Sequence, residues 1–152
     1  MATAQDIFND MMKGEIGPAL RGMGFKGSGQ SFTHPSTDHW ILLGFQKSTS
    51  SNRDAVRFTV NVSVGEKAAW EDARKAQSWL PERPNANVLS GPVWSQRIGL
   101  LMPELEDHWW TVSDDPLTAE RAAAEVLGAI RDYAWPAIRA RVDRSDFPEK
   151  AG

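Results

Sequence analysis

Polar and apolar residues alternate without exception in the stretch Arg57-Phe58-Thr59-Val60-Asn61-Val62-Ser63-Val64. Successive side chains of a β-strand point to opposite faces of the sheet, so this alternation predicts a strand with one apolar and one polar face. The apolar face needs a cover of other apolar elements, and the polar face must meet water or a ligand. The rest of the chain can be placed against these two faces.

Length and composition predict one soluble domain. The chain has 152 residues, of which 41% are hydrophobic, and this content is enough for one core. We expect a single α+β domain over residues 1–144 and a flexible tail over residues 145–152. Seven tryptophans and one tyrosine make indole the dominant ring, and such rings serve either as core filler or as platforms for a ligand.

Charge and missing residue types argue against several classes of protein. A formal net charge of -3 and a pI near 5.6 argue against duplex nucleic acid as a partner, because binding it needs a basic surface. The chain has no cysteine, so it forms no disulfide and has no thiol nucleophile, which favours a reducing, cytoplasmic compartment. No apolar stretch approaches membrane-spanning length and the first residues lack a signal-peptide pattern, so we expect no membrane partner.

Apolar residues at helical spacing predict a helix near each end of the chain. Thr3 and Asp6 form a helix-starting pattern, and the apolar repeat that follows them ends near residues 22–24. Gly17-Pro18 should kink this helix, since proline lacks an amide proton and crowds the preceding turn. The last helix should begin at Asp114-Asp115-Pro116 and bend around residue 132, before Pro136. We expect both helices to cover the apolar face of the alternating strand.

Four further runs have strand character. Residues 31–34 predict a short edge strand, which follows a flexible polar connector at residues 26–30. Residues 40–47 are too apolar for an edge and should form a central strand, joined to the alternating strand as a hairpin through the loop at residues 47–54. Residues 95–101 and 108–112 are predicted to form a second hairpin. The fold class is therefore α+β, with a four- to five-stranded, mainly antiparallel sheet and the N- and C-terminal helices packed on one face.

The segment between these hairpins has two parts. Residues 66–79 have the composition of a helix, with four alanines beside Trp70. Four helix- and strand-breaking residues then make an irregular connection, namely Pro81, Pro84, Gly91 and Pro92. This connection either folds over the polar face of the sheet or extends one of its edges.

Several short motifs occur together in a fixed order. They are Gly24-Phe25-Lys26 with Ser31-Phe32, Gln46-Lys47-Ser48, Phe58-Thr59-Val60-Asn61-Val62, Arg97-Ile98-Gly99 and Asp107-His108-Trp109-Trp110. Through these motifs the chain resembles the mostly bacterial family known as domain of unknown function 4304, over roughly residues 4–138. The resemblance implies a bacterial protein and carries over no activity, cofactor or catalytic residue.

The parity of the strands predicts one candidate binding surface. If Val60 faces the core, then Arg57 and Asn61 face the other way, and neighbouring strands add polar and aromatic side chains to the same surface. The candidate ligand-binding residues are Trp40, Gln46, Arg57, Asn61, Arg97 and Trp109. Indole rings stack on flat groups, guanidinium binds carboxylate or phosphate, and amides both donate and accept hydrogen bonds. The alternative is that these side chains only link adjacent strands on a solvated face.

We therefore expect a binding or protein-interaction module that uses this open face of the sheet and whose partner is a protein or a small polar ligand; an immunity-like or defence-associated partner is one version. The rival hypothesis is a small hydrolase-like or metal-binding enzyme with a site at the sheet rim around His39 and His108, with Asp38 as a nearby carboxylate. No nucleophile motif, cofactor motif or metal-ligand spacing is recognisable, so we assign no catalytic residue, metal ligand or cofactor. Single-stranded RNA is disfavoured by the acidic charge balance.

Overall fold

A computed structural model of the chain describes residues 2–88 and 90–142, and the structural statements below concern these residues. The helices are α1 (Ala4–Met11), α2 (Gly17–Gly22), α3 (Lys67–Ala76), α4 (Pro116–Ala129) and α5 (Trp135–Arg141), with π-helical segments at Met12–Ile16 and Ile130–Ala134 and a 3₁₀ turn at Ile98–Leu101. The strands are β1 (Lys26–Ser28), β2 (Ser31–His34), β3 (His39–Lys47), β4 (Ala55–Glu66), β5 (Trp94–Arg97) and β6 (Trp110–Ser113). None of these helices is long and apolar enough to cross a membrane. The predicted tail at residues 145–152 lies outside the described residues.

The six strands form one antiparallel sheet organised around β4. The strands β1 to β5 follow one another in sequence order, and β6 also pairs with β4. One edge of the twelve-residue β4 pairs with the whole of β3. Its other edge is divided, since residues 61–64 pair with β5 and residues 55–58 pair with β6. The alternating stretch is therefore a central strand, and the predicted α+β class with a mainly antiparallel sheet is confirmed.

Two local strand predictions are wrong. Residues 95–101 and 108–112 do not form a hairpin, because in the described chain β5 and β6 each pair with β4 rather than with each other. Residues 26–28, predicted as part of a flexible connector, form an additional edge strand beside β2. The two-residue turn between Ser28 and Ser31 begins at Gly29, which has a φ of +65°. Glycine adopts that conformation without steric cost, so the turn closes a tight hairpin.

The apolar face of β4 lies beneath the helices, as predicted. Its side chains belong to one core with residues of the terminal helices, and Phe58, Val60, Val62 and Val64 are at most 5% exposed. The ring of Phe58 packs 5.3 Å from Phe8 of α1 and 5.9 Å from Trp110 of β6. The alternating stretch therefore joins both helical ends of the chain to the sheet.

Local signals define the ends and bends of the helices. The Asp6 amide donates to the Thr3 hydroxyl at 3.2 Å, and the Thr3 amide donates to the Asp6 carboxylate at 3.0 Å. These bonds hold the pKa of Asp6 below its ordinary value, because they stabilise the charged carboxylate. Each π-helical segment ends just before a helix with proline in its first turn, Pro18 in α2 and Pro136 in α5. The regular α-helical pattern is therefore interrupted beside each proline, which lacks a backbone donor.

The polar face of the sheet is covered as well, and is not open as predicted. The connection after α3, which we call the cover (residues 77–88 and 90–93), folds over it, and this is the first of the two predicted alternatives. Ala86 and Asn87 lie against Gly44 of β3. Trp70 of α3 anchors the cover, since it is fully buried and its Nε1 donates to the carbonyl of Pro81 at 3.0 Å. As a result, the central polar residues of β4 are almost inaccessible, with exposures of 0% for Thr59, 8% for Asn61 and 1% for Ser63.

Candidate functional site

Three side-chain amides connect the sheet to the cover. Asn61 Nδ2 donates to Gln46 Oε1 on β3 at 2.7 Å and to Asn87 Oδ1 in the cover at 2.9 Å. Asn87 Nδ2 donates in turn to the carbonyl of Phe45 at 3.3 Å. These bonds are partly buried, and leaving a buried polar group unpaired costs about 1–3 kcal/mol. The amides are therefore held in fixed orientations before any ligand arrives.

A cleft of about 370 Å³, which we call the central cleft, lies beside these amides. Its walls come from β3, β4, β5, the cover and the 3₁₀ turn, and they comprise Gln46, Asn61, Ala86, Asn87, Ser95, Gln96, Arg97 and Leu100. The volume falls within the range of about 300–1,000 Å³ that is usual for ligand sites. Leu100 in this wall is 39% exposed, and Val88, which follows Asn87, is 58% exposed. The cleft therefore combines polar walls with accessible apolar groups.

Two neighbours orient Arg97 in the wall of the central cleft. Its Nη1 donates to Asp107 Oδ2 at 2.9 Å, and its guanidinium lies 5.0 Å from the centre of the Trp109 ring. The same carboxylate oxygen accepts a hydrogen bond from Trp109 Nε1 at 2.9 Å, and Arg57 also lies over this ring, at 5.5 Å. The Arg97 side chain is 36% exposed, so its ion pair contributes at most about 1 kcal/mol. The main effect of these contacts is to position the guanidinium.

Three of the six predicted binding residues line the central cleft, namely Gln46, Asn61 and Arg97. Trp109 contacts Arg97 from outside this lining, and Arg57, about 13 Å from Asn61 along β4, contacts the Trp109 ring. Trp40 lies in another part of the molecule. It occupies the same face of the sheet but pairs with Gly65, four residues from Asn61 and therefore about 13 Å along the strand. Its ring contacts Lys67 and Arg83 instead. That these residues bind a ligand stays a prediction.

The structure does not bring the two rim histidines together. His39 pairs with Glu66 at one end of β4. The carbonyl of His108 accepts a hydrogen bond from Thr59, which is seven residues away along the same strand. That spacing corresponds to about 23 Å, too far for two ligands of one metal ion. In the part of the chain that the structure describes, no group of three or more His, Asp or Glu side chains is arranged to hold a metal ion.

Sequence reasoning missed Asn87, the residue by which the cover contributes to the site. The cover contains no periodic pattern, so nothing in its own sequence indicates which side chain faces the sheet. One signal was present in Gly44, a glycine within an apolar central strand. Such a glycine often marks the close approach of another backbone segment, and a Cβ at this position would overlap the Asn87 side chain.

Leu105 lies in the loop between the 3₁₀ turn and β6, and we predict that Leu105→Gly stabilises the protein. Leu105 has a φ of 54° and is 68% exposed, so the leucine strains the backbone and little packing is lost with it. The expected gain is about 0.5–1 kcal/mol in the free energy of unfolding, measured by urea denaturation. Leu117→Gly, at an exposed leucine in the first turn of α4, should instead destabilise. If Leu105→Gly lowers the free energy of unfolding, the positive φ of Leu105 does not strain the backbone as argued.

The fold and the site define a class of protein before any comparison is made. It is a small α+β protein in which helices cover one face of an antiparallel sheet and an irregular segment covers the other, leaving a cleft lined by amides and arginine. The chain belongs to the family described as domain of unknown function (DUF4304), whose model matches residues 16–140. This finding confirms the family that the sequence motifs resemble. No curated protein and no solved structure matches the chain significantly.

Proposed function

We propose that the chain is a bacterial, cytoplasmic interaction module that holds a polar segment of a partner protein in the central cleft. The observation that carries this proposal is the prearranged polar wall, in which Asn61 fixes the amides of Gln46 and Asn87. A ligand that meets fixed groups loses less conformational entropy on the protein side, so more of the contact energy appears as affinity. The family resemblance supports the bacterial source, and the cysteine-free sequence supports the cytoplasmic compartment.

The chemistry of the cleft suits a peptide segment. Peptide groups both donate and accept hydrogen bonds, and side-chain amides and a serine hydroxyl can do the same in return. Arg97 adds one cation that is already paired with Asp107, so the site offers directional hydrogen bonds more than a strong electrostatic attraction. The exposed Leu100 and Val88 supply apolar contact beside the polar wall. A small polar ligand would use the same groups, and a partner from a defence or immunity system is one concrete version.

The test compares variants of the cleft with a matched surface variant. The protein is used to capture partners from its native cell, and the captured protein is then titrated by calorimetry in purified form. Leu100→Asp places a charge in the cleft wall and Arg97→Ala removes the positioned guanidinium. Each should weaken binding by a factor of about ten or more, equivalent to about 1.4 kcal/mol.

Leu117→Asp is the control, because Leu117 is also an exposed leucine but lies on α4 rather than in the cleft. It should bind the partner as the unmodified protein does. If Leu100→Asp and Arg97→Ala fold normally and bind with unchanged affinity, the central cleft is not the binding site. A small molecule that competes with the protein partner for the cleft would identify the ligand class as a polar metabolite instead.

A further inference from the structure

The same face of the sheet has a second depression near Trp40, whose lining has Ala86 in common with the central cleft. Two clefts of about 520 and 250 Å³ share Lys26, Thr33 and Arg83 in their linings. Together they run from the β1–β2 edge, past Trp40, to the part of the cover around residue 84. We call them the basic groove, after Lys26, Lys67 and Arg83. The groove is assigned independently of the central cleft, so either proposal can fail without the other.

The groove concentrates positive charge in a chain whose net charge is negative. Lys67 Nζ and the Arg83 guanidinium lie 4.9 and 5.1 Å from the centre of the Trp40 ring. They are therefore at most about 10 Å apart, a distance comparable to the Debye length of about 8 Å at physiological salt. Among the described residues, the lining of the groove includes no aspartate or glutamate, and Lys26 and Arg83 make no ion pair. The cations gathered here lack an anionic counterpart.

The larger of the two clefts also has an apolar wall. Leu42 of β3 and Ala86 of the cover line it, and they are 6% and 8% exposed, respectively. Pro84, which follows Arg83 in the chain, also lines this cleft and is buried. A hydroxyl-bearing residue, Thr33, stands where the two clefts meet. An apolar wall that ends at several cations fits a ligand with an apolar body and an anionic end.

Trp40 shows the same surplus of donors over acceptors. Its indole Nε1 is buried and has no hydrogen-bond acceptor within residues 2–88 and 90–142. Lys67 Nζ donates to the carbonyl of Ser36 at 2.6 Å, which fixes that ammonium group at the groove. Trp40, Lys67 and Arg83 all offer donors here, so an acceptor-rich group suits this part of the groove.

We infer that the basic groove binds a small organic phosphate monoester, with the phosphate at Lys26, Lys67 and Arg83 and its apolar body along Leu42 and Ala86. A phosphate dianion matches three cations better than a single carboxylate does, and guanidinium binds its oxygens in a bidentate manner. Trp40 serves as the platform that holds two of the cations, rather than as a stacking surface for the ligand. This role explains why Trp40 lies apart from the other predicted binding residues.

The test uses phenyl phosphate as the probe, with phenol, benzoate and inorganic phosphate as comparisons. Binding is measured by calorimetry and by the NMR signal of the Trp40 indole N–H, assigned with Trp40→Phe. Phenyl phosphate should bind with a Kd of about 1 mM or below, more tightly than any comparison molecule. Its affinity for the protein should also fall as the salt concentration is raised, because the phosphate contact is electrostatic.

Arg83→Gln should lower the affinity for phenyl phosphate by a factor of about ten. Arg121→Gln, at an exposed arginine on α4, should leave that affinity unchanged. If Arg83→Gln does not fold, Lys26→Gln on the exposed edge strand takes its place. Absence of binding at about 10 mM phenyl phosphate, or equal affinity in Arg83→Gln and the unmodified protein, would overturn the proposal. Equal affinity for inorganic phosphate and phenyl phosphate would overturn the inference that the apolar wall contributes to binding.

Discussion

Replacing Trp70 with alanine should lower the free energy of unfolding by about 3–5 kcal/mol, the range for large aromatic side chains deleted from a core. Trp70 is fully buried, and Gly91 approaches its ring so closely that an added Cβ would overlap the indole. The hydrogen bond from its Nε1 to the Pro81 carbonyl would also be lost. Urea denaturation followed by circular dichroism measures the change, and faster proteolysis at residues 81–93 should accompany it.

Trp79→Ala provides the matched control for this prediction. Trp79 lies nine residues further along the chain and is 69% exposed, so its removal should change the free energy of unfolding by less than about 0.5 kcal/mol. The two substitutions delete the same side chain and differ only in what surrounds it. Similar losses in both variants would show that Trp70 is not the anchor of the cover.

Asn61→Ala should have the second largest effect, a loss of about 1–3 kcal/mol in the free energy of unfolding. The substitution removes the donor shared by Gln46 and Asn87, and it leaves two partly buried acceptors without that partner. The cover should then separate from β3 and β4 more often than in the unmodified protein. Hydrogen exchange at the amides of residues 85–88 measures that opening, alongside urea denaturation of the whole domain.

Asn9→Ala is the control for the second prediction. Asn9 is exposed on α1, where its only described side-chain contact is a long hydrogen bond of 3.4 Å from Gln5. Its replacement should leave the exchange rates of residues 85–88 unchanged. An Asn61→Ala protein that unfolds and exchanges like the Asn9→Ala protein would mean that the three amides do not hold the cover in place.

The faces of the sheet could be predicted from the sequence because they depend on local parity. Alternation between Phe58 and Val64 is enough to separate a helix-covered face from a polar one, and proline positions are enough to place the interruptions of the terminal helices. The pairing of β5 and β6 could not be predicted in the same way. Strand pairing depends on contacts between distant segments, and no local pattern indicates that two segments divide one edge of β4.

The candidate site shows the same limit at the level of single residues. Parity placed Trp40 and Asn61 on one face correctly, but parity carries no information about distance along a strand, so Trp40 and Arg57 were grouped with Asn61 although each lies about 13 Å from it along the strands. Asn87 was missed because its position depends on how the cover packs. The predicted residues therefore describe a face of the sheet, and the structure divides that face into the central cleft and the basic groove.

The divided edge of β4 has a consequence for the order in which the chain folds. The β3–β4 hairpin pairs Lys47 with Phe58, whereas Phe58 meets Trp110 across a chain segment about five times longer. Closing the longer loop costs about 1–2 kcal/mol more in chain entropy. Contacts of high sequence separation also slow folding. The edge of β4 that pairs with β5 and β6 should therefore stay partly unpaired until the last third of the chain has docked. During that interval the hairpin presents an open edge, which makes it the part of this protein most prone to misassembly.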